Sequence, residues 1–290
     1  MRKILLTGAN SFLGGHLYKA LFNSYIAYGT YNSNRIRTVN FLKLNLIGKG
    51  DVLKILNEVK PDIVIQNAAV SDPDDAEVNK KIAWLVNVES TEIIADWCNK
   101  NRAKLLYIST DQVFDGLSSY YKETDKANPI NFYGKTKVEA ENIVLASNKN
   151  AVIRMALMYG RGVFNISYRQ EWLWNTLAYG KGKIKIIYDQ YRSLLCVNNA
   201  ADLIKELCDI DFSGLIHIGG PERISRYDFA IRLCNFLNRD YNERIEKVSY
   251  KEVHYKAVRP KDVSFDITKA KGILRTPILT TQEALSKYYT

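Results

Sequence analysis

The N-terminal segment of this 290-residue chain reads as an apolar strand, a glycine-containing turn and a helix. The apolar run covers residues 3–6, the turn runs from Gly8 to Gly14, and an amphipathic stretch covers residues 16–22. A helix that begins directly after a strand offers unpaired N–H groups and positive partial charge, which favour a pyrophosphate. In this context Gly8 makes the turn and Gly14 allows close packing of helix and strand. We therefore predict a dinucleotide site at this turn.

Strands and helices continue to alternate after this unit. Strands are predicted at residues 25–31, 61–69 and 104–109, and a helix at residues 89–100. This rhythm predicts an α/β fold, a doubly wound parallel sheet of the Rossmann type, with a smaller C-terminal α/β substrate lobe.

The alternation changes after about Gly160, where an aromatic-rich stretch follows. We expect a dinucleotide-binding Rossmann core over residues 1–160. Residues 161–290 are expected to form mainly a substrate-binding lobe, with residues 190–220 partly returning to the core.

The segment after the second strand bears on the choice of dinucleotide. It reads Asn32-Ser-Asn-Arg35, with Arg37 close by and no carboxylate. An acidic residue here would bind the ribose hydroxyls of NAD, whereas an arginine accommodates a 2′-phosphate. The sequence therefore favours NADP(H), with NAD(H) possible. The alternative interpretation is a basic, solvated loop.

A tyrosine and a lysine stand four residues apart in a predicted helix. Residues with this spacing share one helix face, so the Lys137 ammonium can lie close to the Tyr133 phenol. A phenol has a pKa of about 10, so acting near pH 7 requires a shift of roughly three units, or about 4 kcal/mol. A neighbouring cation favours the phenolate. With the Thr110 hydroxyl, the pair predicts a device that moves a proton onto or off a carbonyl oxygen.

Composition argues against several other classes of protein. The net charge is +10, but lysines and arginines are spread along the chain, so no nucleic-acid-binding arm is indicated. The sequence shows neither a secretory h-region nor an apolar run long enough to span a bilayer, so we expect a cytoplasmic protein without membrane contact. Four cysteines and three histidines are scattered, which predicts neither disulfides nor a metal site.

Several motifs, in order along nearly the whole chain, resemble the extended short-chain dehydrogenase/reductases and, within them, the dTDP-4-dehydrorhamnose reductases. They are Ser109-Thr-Asp-Gln-Val-Phe-Asp-Gly, Tyr133-Gly-Lys-Thr-Lys-Val-Glu, Asp189-Gln-Tyr-Arg-Ser, Gly219-Gly-Pro-Glu-Arg-Ile-Ser-Arg-Tyr and Arg259-Pro-Lys-Asp-Val-Ser. The resemblance implies hydride transfer from a reduced nicotinamide to the 4-keto carbon of a nucleotide-linked 6-deoxysugar. The implied reaction converts dTDP-4-dehydro-L-rhamnose to dTDP-L-rhamnose.

The resemblance also implies roles for individual residues. Tyr133 protonates the developing alkoxide, Lys137 lowers the tyrosine's pKa and holds the nicotinamide ribose, and Thr110 polarises the carbonyl. The expected cofactor contacts are Gly8, Asn10, Ser11, Phe12, Leu13, Gly14, Asn32, Arg35, Asn45, Leu46, Asn67, Ala68, Ala69, Tyr133 and Lys137. The expected substrate contacts are Gln112, Arg154, Asn165 and Arg259, where Arg259 grips the diphosphate or is simply a loop residue.

This chain departs from the family pattern at several positions. Gln112 stands where the family has a tyrosine, and Arg154-Met-Ala-Leu157 replaces Arg-Thr-Ser-Trp. Losing these aromatic positions affects the sugar pocket, where Gln112 can instead hydrogen-bond a hydroxyl. Trp172 and Trp174 either compensate or belong to a core or interface. Ser11 and Asn45 are further departures, in the glycine turn and at the expected adenine contact.

Two other classes of function stay open on the sequence. One is a different nucleotide-sugar reductase or an epimerase with the same three catalytic residues. The other is a non-catalytic, dinucleotide-binding regulatory subunit like that of methionine adenosyltransferase. The resemblance also suggests a homodimer, with a role for Mg²⁺ that no residue in the sequence identifies.

Overall fold

The computed structural model describes residues 1–289, and a parallel β-sheet lies at the centre of the fold. The strands are β1 Lys3–Thr7, β2 Ile26–Tyr31, β3 Phe41–Lys43, β4 Ile63–Gln66, β5 Lys104–Thr110, β6 Ala151–Met155, β7 Met158–Tyr159, β8 Ile184–Ile187, β9 Tyr191–Arg192, β10 Leu195–Cys196, β11 Gly214–Ile218, β12 Ile224–Ser225 and β13 Ile245–Val248.

The α-helices alternate with these strands along the chain. They are α1 Phe12–Leu21, α2 Lys49–Val59, α3 Pro73–Val78, α4 Lys80–Trp84, α5 Ser90–Asn101, α6 Phe132–Leu145, α7 Trp172–Tyr179, α8 Val197–Asp209, α9 Arg226–Phe236, α10 Tyr241–Arg244, α11 Thr268–Ile273 and α12 Thr281–Tyr289. The predicted helix at residues 89–100 corresponds to α5, which is preceded by a π-helical turn at Leu85–Glu89.

The central sheet has seven strands in the order β11-β6-β5-β4-β1-β2-β3, and all its pairings are parallel. The order reverses at β1, which lies between β4 and β2. In open sheets of this type, ligands bind at the carboxyl ends of the strands beside such a reversal. The predicted Rossmann fold class is confirmed, and the candidate site is expected beyond Thr7.

Both faces of this sheet are covered by helices, which explains the nearly continuous apolar strands. Successive side chains of a strand point to opposite faces. Ile4 and Leu6 accordingly pack in the cluster that contains residues of α1 and α8. Leu5 packs in the opposite cluster, which contains residues of α2, α5 and α6. The sheet is therefore the middle layer of three.

The C-terminal part of the chain divides between the sheet and a second core. Residues of α8 and β11 pack in the sheet's cluster with Leu195, as do Ala270 and Leu274 near the C-terminus. A separate cluster joins α7, α9 and α12 to the pair β8–β13. The boundary near residue 160 stays a prediction, and the structure shows that both cores draw on residues beyond it.

The two tryptophans discussed above, Trp172 and Trp174, lie in different environments. Trp174 is 6% exposed and packs in the second core, whereas Trp172 is 46% exposed. The core interpretation therefore describes Trp174.

The part of the chain that the structure describes holds no helix both long and apolar enough to cross a bilayer. All four cysteines are free and buried. Within residues 1–289 we also find no group of three or more His, Cys, Asp or Glu side chains placed to hold a metal ion.

Candidate active site

Two glycines shape the turn between β1 and α1. Gly8 has a φ of +64°, and a Cβ there would lie 2.9 Å from the Cβ of Ala68. A Cβ at Gly14 would overlap the carbonyl oxygen of Gly8. Both positions therefore require glycine, one for its backbone conformation and both for close approach of neighbouring chain.

Ser11 caps the N-terminus of α1 and faces Asn67, the residue that follows β4. Its Oγ accepts hydrogen bonds from the backbone N–H of Gly14 at 3.1 Å and from Asn67 Nδ2 at 2.9 Å. Asn67 Nδ2 also contacts the carbonyl oxygens of Thr7 and Gly8. Because the Ser11 oxygen accepts both bonds, its hydroxyl proton remains available to an acceptor such as a phosphate oxygen.

A cavity of about 480 Å³ opens above this turn, at the carboxyl ends of β1, β4 and β5. Its size and the helix N-terminus at its floor fit an extended, anionic ligand such as a dinucleotide. The predicted cofactor residues that line it are Gly8, Asn10, Ser11, Phe12, Leu13, Asn32, Asn45, Leu46, Asn67, Ala68, Ala69, Tyr133 and Lys137. Gly14 lies behind this surface, where it allows helix and strand to pack.

The corner of the cavity after β2 is lined by Asn32 and Ser33. Asn10 Nδ2 donates to the carbonyl oxygens of Ser33 at 2.7 Å and Asn34 at 3.2 Å, and so holds this loop against the glycine turn. Arg35 is exposed and does not line the cavity. Among the described residues, the one carboxylate in the lining is Asp111, which follows β5.

The expected catalytic residues meet at one wall of the cavity. Tyr133 and Lys137 lie on the first turns of α6, the helix that the sequence predicts, and Thr110 is the last residue of β5. All three are buried, and the Thr110 side chain is near enough to the Tyr133 phenol to oppose the rise of its pKa. The Thr110 hydroxyl itself donates to Asp111 Oδ1 at 3.3 Å. Lys137 Nζ donates to the carbonyl oxygen of Ile108 at 2.7 Å. The expected proton donor and the hydroxyl expected to polarise the carbonyl therefore lie at the same wall of the cavity.

Burial dominates the ionisation of this group. It raises the pKa of Tyr133, a shift that nearby Thr110 opposes and the Asp111 charge reinforces. Burial also lowers the pKa of Lys137 to about 7, although Glu141 opposes the shift. The expected lowering of the tyrosine's pKa by Lys137 is therefore wrong for this structure. The phenol is held protonated, which is the form that a proton donor needs.

A second cavity of about 550 Å³ adjoins the first. The residues that line both are Ser71, Asp111, Gln112, Leu157, Met158 and Gln170. Four arginines line the second cavity, namely Arg169, Arg192, Arg226 and Arg259. Arg259 is a predicted substrate contact, and the other three were not predicted. Such a concentration of guanidinium groups suits a diphosphate or another dianion. Arg192 and Arg226 belong to motifs quoted above, which was the available signal.

Arg259 lines this second cavity, as expected for a substrate contact. Its Nη2 lies 3.0 Å from Asp74 Oδ1 and 3.8 Å from Asp72 Oδ1. Asp72 also forms an ion pair with Arg169. Two of the cavity's arginines are thus tied to carboxylates at the start of α3, and an anionic ligand would compete with these carboxylates.

The charge of Asp111, the buried acid at the junction of the cavities, is partly compensated by an arginine. Asp111 Oδ2 lies 3.7 Å from Arg192 Nε and accepts no hydrogen bond from the described residues. Burial raises the pKa of Asp111, and Arg192 opposes the shift.

Two predicted substrate residues lie elsewhere. Arg154 is buried in β6, where its Nη2 lies 2.7 Å from Glu141 Oε2, and it lines neither cavity. The structure therefore gives Arg154 a partner inside the protein rather than a substrate contact. Asn165 is exposed and also lines neither cavity.

A family model described as the RmlD substrate binding domain matches residues 1–290. The chain belongs to the RmlD family. Among similar proteins, methionine adenosyltransferase 2 subunit beta from Xenopus laevis is 31% identical over 245 residues, which are 82% of this chain and 72% of that protein. A dTDP-4-dehydrorhamnose reductase from Aggregatibacter actinomycetemcomitans is 29% identical over 243 residues, or 80% of this chain and 78% of the relative.

Solved structures of RmlD-like proteins superpose closely. A hypothetical dTDP-4-dehydrorhamnose reductase from Sulfolobus tokodaii has a TM-score of 0.85 and 31% identity, covering 97% of both chains. The reductase from Bacillus anthracis in complex with NADP has a TM-score of 0.86 and 26% identity, covering 99% of this chain and 98% of that one. The resemblance to extended short-chain dehydrogenase/reductases is confirmed. The predicted class of enzyme, an oxidoreductase similar to dTDP-4-dehydrorhamnose reductases, is also confirmed.

Proposed function

We propose that this RmlD-family protein reduces the 4-keto group of a nucleotide-linked 6-deoxysugar with NADPH, converting dTDP-4-dehydro-L-rhamnose to dTDP-L-rhamnose. The observation that carries the proposal is the position of Thr110, Tyr133 and Lys137. They line the dinucleotide-sized cavity beside its junction with the arginine-lined cavity. A substrate whose carbonyl lies at this junction places that carbonyl beside a proton donor. The nucleotide of the same substrate then extends among the arginines of the second cavity.

The protein's own groups handle the proton. A reduced nicotinamide, when bound, supplies the hydride that the carbonyl carbon accepts. Tyr133, held protonated by burial, donates its proton to the carbonyl oxygen. The Thr110 hydroxyl hydrogen-bonds the same carbonyl oxygen and polarises the carbonyl. Lys137 uses one N–H on Ile108 O, so its remaining donors are available to hold the nicotinamide ribose. Fixing both reactants in register can supply roughly 7–11 kcal/mol of the barrier.

Preference for NADPH is supported by the chemistry of the corner after β2. Asn32 and Ser33 line it, no carboxylate among the described lining residues stands there, and Arg35 lies in the adjacent loop. A 2′-phosphate would therefore meet neutral and basic groups instead of an acid. The NADP complex of the Bacillus anthracis relative is in keeping with this choice.

Grip on the nucleotide is assigned to the arginine wall of the second cavity. Arg226 and Arg259 line it together with the aromatic residues Trp172 and Tyr255, whereas the buried Arg192 donates to backbone carbonyl oxygens. Guanidinium groups pair bidentately with phosphate oxygens, and aromatic rings offer a surface for a base. These residues bind the part of the substrate that is remote from the reacting carbon, and so contribute binding energy.

The rival functions are less well supported. A non-catalytic, dinucleotide-binding subunit is the alternative that the match to methionine adenosyltransferase 2 subunit beta raises. Binding alone does not require a threonine, a tyrosine and a buried lysine at one wall of the cavity. An epimerase uses the same three residues but retains its NAD, so ready exchange of NADPH in a binding assay would argue against this function.

The test is a steady-state assay with dTDP-4-dehydro-L-rhamnose generated in situ, in which oxidation of NADPH and of NADH is followed separately. The proposal expects rapid oxidation with a preference for NADPH, and formation of dTDP-L-rhamnose. Measurable cofactor binding without oxidation of either cofactor would overturn it.

A further inference from the structure

Gln112 occupies the junction between the two cavities. It lines both, and its backbone N–H donates to Thr110 Oγ1 at 3.3 Å. On its other side, a Cβ added to Gly134 would overlap the Gln112 carbonyl oxygen. Gln112 therefore lies between the hydroxyl that polarises the carbonyl and the helical turn that carries Tyr133.

The orientation of the Gln112 amide follows from a chain of hydrogen bonds that begins at the N-terminus of α6. The backbone N–H of Gly134 can only donate, and it donates to Asn131 Oδ1 at 2.8 Å. Asn131 Nδ2 must then face the other way, where it donates to Val258 O at 3.0 Å and to Gln112 Oε1 at 3.1 Å. The helix cap thus fixes Gln112 Oε1 as the acceptor.

The other half of the amide is consequently directed away from Asn131. No hydrogen bond within residues 1–289 engages Gln112 Nε2, although the residue is half-buried. The other polar side chains shared by both cavities, apart from Asp111, are Ser71 and Gln170, and both are exposed at the rim. Gln112 Nε2 is therefore the neutral donor placed deepest at the junction.

We infer that Gln112 is a specificity-determining residue whose Nε2 donates a hydrogen bond to the hydroxyl next to the reacting carbonyl. This inference rests on the proposed function, in which the substrate is a 4-keto-6-deoxyhexose. In such a sugar, one neighbour of the carbonyl carbon bears the 3-hydroxyl and the other bears the methyl group and ring oxygen. The 3-hydroxyl is thus the oxygen that a donor beside Thr110 recognises.

This arrangement selects for a hydroxylated sugar. The apolar residues at the junction, Leu157 and Met158, offer no hydrogen bond and no aromatic face. A substrate without the 3-hydroxyl leaves the Gln112 donor without a partner, and an unpaired donor lowers the reactivity of analogues that lack the hydroxyl.

A double-mutant cycle between residue and ligand tests the inference. Wild type and Gln112→Met are compared on the 4-keto-6-deoxyhexose nucleotide and on its 3-deoxy analogue. We expect wild type to favour the hydroxylated substrate by about tenfold in kcat/KM. The variant, which keeps the length of the side chain but lacks the amide, should reduce both substrates equally well. A full preference retained by Gln112→Met overturns the inference.

A second variant tests the orientation of the amide. Asn131→Asp keeps an oxygen that caps Gly134 but has no donor for Gln112 Oε1. The Gln112 amide should then turn its Nε2 to the new carboxylate, so that the preference for the 3-hydroxyl falls while α6 stays folded by circular dichroism. An unchanged preference in this variant contradicts the proposed chain of hydrogen bonds.

Failure of the proposed function has a different signature. Wild type would then reduce neither sugar, and titration calorimetry of the same two ligands with NADP⁺-loaded protein takes over as the readout. Tighter binding of the hydroxylated ligand by wild type, lost in Gln112→Met, supports the inference in the absence of turnover. Equal binding of both ligands, or binding of neither, overturns it.

Discussion

The Lys137 ammonium nitrogen lies 4.0 Å from the centre of the Tyr107 ring. A buried ring at this distance stabilises a cation by roughly 2 kcal/mol. Burial alone works in the opposite direction, because it lowers the pKa of Lys137 to about 7. The ring therefore helps to keep the lysine charged near neutral pH, where its donors are needed.

Replacing this ring should move the pH dependence of catalysis. Lys137 is charged below its pKa and neutral above it, so activity falls as the pH rises through that value. Tyr107→Leu removes the ring, and we expect the alkaline limb of kcat/KM to move to lower pH by about 1.5 units. Tyr107→Phe keeps the ring and should leave the limb in place. Coincident profiles for both variants would contradict this role.

Tyr133→Phe tests the proton donor. We expect turnover to fall at least 100-fold, since general acid catalysis typically contributes that much. NADPH affinity, measured by fluorescence titration, should change little because the ring remains. Tyr120→Phe is the control, because Tyr120 is half-exposed and lines neither cavity. Substantial turnover in Tyr133→Phe would assign the proton to another group.

Gly134→Ala tests the close contact between α6 and the junction. A Cβ there would overlap the backbone oxygen of Gln112, so the chain must shift. We expect the free energy of unfolding in urea to fall by about 1–3 kcal/mol. Gly272→Ala, in α11 with no atom within 4 Å of the added Cβ, should instead be neutral or stabilising by up to about 1 kcal/mol. Equal stabilities for the two variants would contradict the packing described.

Arg154→Met tests the buried ion pair with Glu141. Both side chains are almost wholly buried, so removing the guanidinium leaves an uncompensated carboxylate. We expect a loss of about 3–5 kcal/mol in the free energy of unfolding. Lys205→Met, which breaks the more exposed pair with Asp209, should cost at most about 1 kcal/mol. A comparably small loss for Arg154→Met would argue against the buried pair.

Local patterns carried the correct sequence predictions. The Gly8–Gly14 turn depends on residues that are neighbours in sequence, and the four-residue spacing of Tyr133 and Lys137 needs only a helix. Predictions that required tertiary information fared worse. Nothing in the sequence around Arg154 indicates that β6 lies beside Glu141 of α6.

The electrostatic error has the same origin. A cation four residues from a phenol suggests a lowered pKa, but burial of the phenol decides the sign for Tyr133. Likewise the arginine wall draws on positions from Arg169 to Arg259, and the bond from Asn131 to Gln112 joins two separate motifs. Such contacts arise only when the chain is folded.

The central claim is hydride transfer to the sugar carbonyl beside Tyr133. NADPH carrying deuterium at both C4 positions of the nicotinamide, incubated with enzyme and dTDP-4-dehydro-L-rhamnose, tests it directly by mass spectrometry and NMR of the product. The account predicts one deuterium per product molecule, bound to sugar C4, with wild type, and labelled product formed at least 100-fold more slowly with Tyr133→Phe. A bound cofactor with no deuterium reaching the sugar would contradict it.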